Sequence, residues 1–238
     1  MCWSASVSIA MVGLGAAATA VTARRGEPRA IWMTLGYFTV MEALQAAGYA
    51  VVDQCGSPAN QSITLLSYLH IVFQPFAVNA FAMAIIAAPP SARVRRWVWL
   101  FCALSAAVML AQLVPVERLG QCQPGTILCG EAFCLTSGDW HIAWDIPYNG
   151  LFNPLADLLG YPVNFPTYLL TVFVMPLLYG AWRMVLFHAL FGPILASLLT
   201  TNPNEMPAIW CLLSIGLILV GISPLIRQKV MGTRPRTP

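Results

Sequence analysis

Apolar runs of about 20 residues recur along this chain, and its Lys and Arg residues cluster in the short segments between them. A helix rises 1.5 Å per residue, so about 20 residues match the ~30 Å hydrocarbon core of a bilayer. Of the 238 residues, 58% are hydrophobic and 9% charged, against about 25% charged in an ordinary soluble domain. So few charges cannot cover a water-facing surface. The expected fold is an all-α, polytopic membrane helix bundle, with the lipid bilayer as its first partner.

Hydropathy read together with Pro and Gly breakers gives seven spans, at about 4–23, 30–52, 63–88, 97–114, 167–182, 184–199 and 207–225. The first is not read as a secretory signal peptide. No Lys or Arg precedes it, and Arg24 and Arg25 follow it, the flank of a retained helix that enters with its N-terminus outside. With that orientation Arg24, Arg25, Arg29, Arg93, Arg95, Arg96, Arg183, Arg227, Lys229, Arg234 and Arg236 all fall on the cytoplasmic side, and Arg118 alone falls outside. Merging the fifth and sixth spans would move the C-terminal positive cluster to the opposite side from the first six positives. Seven transmembrane helices with a cytoplasmic C-terminus, in the inner (plasma) membrane of a bacterium, are therefore expected. Nucleic acid is excluded as a partner, because the positive residues punctuate spans instead of forming a patch, and Lys229 is the sole lysine.

Residues 1–238 read as one membrane domain, and the longest non-membrane piece is 115–166, between helices 4 and 5. A structureless loop of that length is improbable in a compact protein, so it is expected to form an ordered periplasmic cap. Within it, Gly150–Gly160 has the pattern of an amphipathic helix at the interface. Cys55, Cys122, Cys129 and Cys134 lie in outer segments. In an oxidising compartment they are expected to form two disulfides stapling the cap, one tying the 53–62 loop to it, with connectivity open. A zinc knuckle or redox pair fits less well, since Cys122, Cys129 and Cys134 stand seven and five apart.

Polar side chains inside spans mark sites by default. Glu42, Gln45 and Tyr49 share one face of the second span at i, i+3 and i+7, and His70, Gln74 and Asn79 follow each other along the third. Gln45 and His70 each lie seven residues from the outer end, about 10 Å deep. Trp210, Cys211 and Glu205 at the start of the seventh span and His141 in the cap can reach the same outward-facing pocket. His188 is left out, being close to the cytoplasmic end of its span. The competing reading is that these groups only hydrogen-bond helices together. Cys2, freed by methionine removal, would offer an amine and a thiol to a metal or a substrate.

The opening Met1-Cys2-Trp3-Ser4-Ala5 resembles uncharacterised bacterial multi-pass membrane families that begin Met-Cys-(Trp/Phe)-Ser-Ala. Glu42 with Gln45, His141-Ile142-Ala143-Trp144 and Trp210-Cys211 also resemble their recurring elements. The resemblance implies a shared fold and site, and brings no activity. Two functions remain open. One is a metal-dependent membrane enzyme acting on a lipid or small amphiphile, with His70, Glu42, His141 and Cys2 as ligands of zinc, iron or copper, and Cys2 or Glu42 as catalytic candidates. The other is a non-catalytic sensor, transporter or accessory subunit of a membrane complex.

Overall fold

In the computed structural model, residues 4–211 and 213–231 are described. Cys2, the Met1–Trp3 part of the opening motif, and Arg234 and Arg236 lie outside them. The chain is mostly helical: α1 (Ala5–Arg24), α2 (Arg29–Gly48), α3 (Pro58–Ile85), α4 (Ala92–Gln112), α5 (Asn153–Leu159), α6 (Pro166–Leu178), α7 (Trp182–Leu199), α8 (Met206–Trp210), α9 (Leu213–Ile222) and α10 (Pro224–Met231). Among the described residues, α1, α3, α4 and α7 are long and apolar enough to cross a membrane, and α6 is a shorter apolar helix.

Local chemistry places the boundaries. Ser4 and Ser91 cap α1 and α4, each hydroxyl accepting from the backbone N–H three residues on (3.4 and 3.3 Å). Pro58 starts α3, where its missing N–H costs nothing. Pro176 and Pro193 act differently, because a proline inside a helix lacks a donor and crowds the carbonyl four residues back. Wide π-type turns at Leu170–Val174 and Leu190–Ile194 accompany them, the second with Gly192 out of helical geometry. The expected seventh span is likewise broken, into α8 and α9.

The bundle has two distinct ends. At one, Arg227 pairs with Glu27 (2.8 Å) and donates to the carbonyls of Val220 and Gly221, while Arg25 donates to Ile222 O (3.0 Å). The turn after α1 is thereby tied to the end of α9. α10 packs against the start of α7, and the 180–184 turn faces the end of α3 across a small cleft. The opposite end carries residues 49–57, 200–205 and the whole 113–165 segment.

That segment departs from the expected all-α architecture. Cys134–Ser137 (β1) and Ile142–Asp145 (β2) form an antiparallel hairpin, in register Cys134 with Asp145 and Ser137 with Ile142. Gly138 opens its turn at a position where a Cβ would meet Glu205 Cδ at 2.6 Å. The amphipathic run expected between 150 and 160 forms α5, closed by left-handed Gly160 (φ +64°). Two disulfides, Cys55–Cys134 and Cys122–Cys129, join the four outer cysteines as expected, and the first ties the α2–α3 loop to β1. Cys102 and Cys211 are buried free thiols.

Candidate functional site

The cap is locked to the bundle by polar side chains, of which Glu205 and Asn60 are fully buried. Glu205, fully buried before α8, accepts from Trp140 N (2.5 Å) and His141 N through one carboxyl oxygen and from the Thr200 hydroxyl (2.5 Å) through the other. Asn204 donates to Asp145 (2.6 Å) and Cys129 O (3.0 Å), and its carbonyl accepts from Trp144 N. From the other side Asn60 acts as a surrogate strand: its amide donates to Leu135 O (2.9 Å) and accepts from Leu135 N (2.9 Å). Asp53, held at φ +63°, accepts from Ser137 N (2.7 Å) and Ser137 Oγ (2.6 Å). Asn60 and Asp53 are not among the expected site residues. Asx residues flanking helix ends are the signal that points to them.

His141 belongs to this lock. Its Nδ1 accepts from Ile142 N (2.7 Å) and lies 3.1 Å from the Tyr49 hydroxyl, with the two rings stacked at 5.9 Å. With Nδ1 an acceptor, the neutral ring is assigned its proton on Nε2. Burial pushes the His141 pKa down to about 3, and burial raises that of the Asp145 carboxyl against the hydrogen bond from Asn204.

The expected intramembrane groups separate into distinct neighbourhoods. His70 stacks on Tyr37 (3.8 Å) and its Nε2 donates to Tyr37 O (2.8 Å), while the Tyr37 hydroxyl donates to His70 O. Glu42 is buried at a crevice between α1, α2 and α9, lined by Met11, Gly15 and Ile218. Gln45 is wholly buried, close to the Cys211 thiol, though neither amide atom makes a hydrogen bond of ordinary geometry. Asn79 bridges helices, donating to Pro75 O and Thr171 O (both 2.9 Å) and accepting from Tyr179 (2.9 Å). Among the described residues no three His, Cys, Asp or Glu side chains are placed to hold a metal ion.

Gln74, Trp210 and Cys211 do come together, at a cavity of about 350 Å³ between the cap and the bundle. Its walls come from α3 (Ile71, Gln74), α4 (Met109), the cap (Thr126 to Leu128 and Tyr161 to Phe165), the start of α6 (Tyr168, Leu169) and the α7–α8 connection. The Tyr168 hydroxyl donates to Gln74 Oε1 (3.0 Å), and its ring meets Trp210 edge-on at 6.0 Å. Behind Trp210 is His188, which sequence depth had set aside. This wholly buried ring meets Trp210, whose Nε1 donates to its Nε2 (2.9 Å), with Phe173 against both.

Fold and site define a mostly helical protein with membrane-length helices and a disulfide-stapled cap over an apolar cavity. Residues 6–231 match the model of the Family of unknown function (DUF5765), and the chain belongs to that family. No curated protein and no solved structure matches it.

Proposed function

We propose that this chain is a seven-span protein of a bacterial inner membrane, with its cap outside, that holds one small amphiphile in the cavity between cap and bundle. The carrying observation is the cavity itself. Ligand sites are concave, mostly apolar and furnished with a few placed polar groups. Here apolar walls surround Gln74, Tyr168 and Cys211, while the groups that lock the cap make their bonds elsewhere.

Three contacts support the orientation. The Glu27–Arg227 pair puts the turn after α1 and the end of α9 on one side, together with the 180–184 turn. That is the arrangement an odd number of crossings produces, and it gathers the positive flanks on the cytoplasmic side. The two disulfides lie at the opposite end, suited to an oxidising compartment.

Protein extracted in mild detergent should carry one lipid-sized adduct per chain in native mass spectrometry. Met206→Trp, which fills the cavity wall, should lose it while the protein stays folded. Wild type with no adduct, or a variant that retains it in full, contradicts the binding reading. Reporter fusions after Arg96 should report cytoplasm and fusions within 120–140 the outside; the reverse contradicts the orientation.

A further inference from the structure

We infer that the amphiphile is an uncharged, carbonyl-bearing lipid that enters the cavity head-first from the surrounding bilayer. The inference rests on the amphiphile-binding reading above and adds the chemistry of the head and its route.

The route follows from exposure. Leu169 lines the cavity and is also 45% exposed on the start of α6, and Tyr161 lines it from the cap while 70% exposed. Beside Tyr161, Leu158 and Leu159 of α5 stand exposed, an apolar edge that in water would be costly. At the level where cap meets bundle such an edge belongs in lipid, as an interfacial helix does. The mouth therefore opens sideways, between Tyr161 and Leu169, into the leaflet on the cap side.

The head chemistry follows from the inner wall. None of the described lining residues is Asp, Glu, Lys, Arg or His. A phosphate or ammonium moved there would lose its hydration without gaining an opposite charge, so ordinary phospholipids are disfavoured. Thr126 and Asn164 line the cap wall, the Thr126 hydroxyl already donated to Gln123 O, and the other polar groups lie at the inner end: Gln74 near the middle of α3, 6% exposed, with Tyr168 and Cys211 beside it. Tyr168 already donates to Gln74 Oε1, and no described residue accepts from Gln74 Nε2. An amide donor thus faces the cavity from its floor, next to the Tyr168 and Trp210 rings, with mostly apolar walls from there to the mouth. A carbonyl oxygen at the head of a single-tailed lipid satisfies that donor while its tail trails toward the bilayer. An isoprenoid-type quinone and a neutral acyl ester share this chemistry.

The test is a native mass spectrometry titration of the full chain in mild detergent with four probes. These are a decyl benzoquinone, a monoacylglycerol, lysophosphatidylcholine and dodecylbenzene. The quinone or the ester should bind about tenfold more tightly than the charged lipid or the hydrocarbon, and which of the two leads identifies the source. Gln74→Leu should remove that advantage while the helical circular dichroism and the binding of dodecylbenzene are kept. Leu169→Trp, at the mouth, should slow association several-fold. Equal binding of all four probes, a preference for lysophosphatidylcholine, or a carbonyl preference that survives Gln74→Leu overturns the head chemistry alone. Binding of no probe overturns the amphiphile reading itself.

Discussion

Glu205 takes two backbone N–H groups and a hydroxyl while wholly out of contact with solvent, so its removal orphans three donors at once. An unsatisfied buried donor costs about 1–3 kcal/mol. Glu205→Ala is expected to destabilise the cap by about 3 kcal/mol, seen as faster protease cleavage within 120–145; an unchanged cleavage pattern contradicts the lock. His141 predicts a pH dependence. Its ring stays neutral down to about pH 3 when folded, against an ordinary value of 6.5, so below 6.5 the unfolded chain takes up a proton that the folded one refuses. Cap stability should then fall by about 1.4 kcal/mol per pH unit as pH drops from 6.5 toward about 5. Asp145, raised by burial, acts with opposite sign nearer the carboxylate range. Melting or proteolysis of the cap at pH 7.5 and 5.5 reads the effect, and His141→Gln should flatten it. At this scale Tyr49, His141 and Glu205, expected at the same pocket as Gln74, hold the cap instead, and of that group the meeting of Gln74, Trp210 and Cys211 was legible from sequence. The neighbourhoods of His70 and Glu42 were not, since equal depth on adjacent helices leaves rotation about the helix axis undetermined: His70 bonds Tyr37 O, and Glu42 lies at the α1 and α9 side.

At the scale of elements, four of the described helices have the apolar length expected of spans, and the helix ends depart from the expected bounds. α2 stops at Gly48, where the expected span continued to 52, because Asp53 and Asn60 draw the chain into the cap. The π-type turns at 170–174 and 190–194 escape hydropathy altogether, since widening a turn changes no composition. The hairpin is also weakly signalled: its strands have four residues each, and their pairing rests on Asn60, Asp53 and a disulfide from outside the segment. Cys55–Cys134 spans 79 residues of sequence and Cys122–Cys129 spans 7, so chain entropy gives the longer loop the larger stabilisation, about 4 kcal/mol. Cys55→Ser should free β1 for rapid cleavage with the helices intact by circular dichroism, while Cys122→Ser should have the smaller effect. Equal sensitivity in both contradicts the assignment of the longer bridge as the tie between cap and bundle.

For the whole molecule, one end is organised around charge and the other around a cap whose underside is apolar. Arg227 and Glu27 close the first, and the second is pinned by Glu205, Asn60 and a disulfide yet leaves a cavity of about 350 Å³ beneath it. A lid held this firmly over an apolar space suits the proposed binding site, whose ligand would arrive from the side. The most direct measurement is to place a photo-crosslinking amino acid at Met206, in the cavity wall, irradiate intact membranes and identify the product by mass spectrometry. A lipid-mass adduct on the chain is the predicted result. Crosslinking to another protein, which would make the cavity an interface in a larger complex, or capture of water alone, would contradict it.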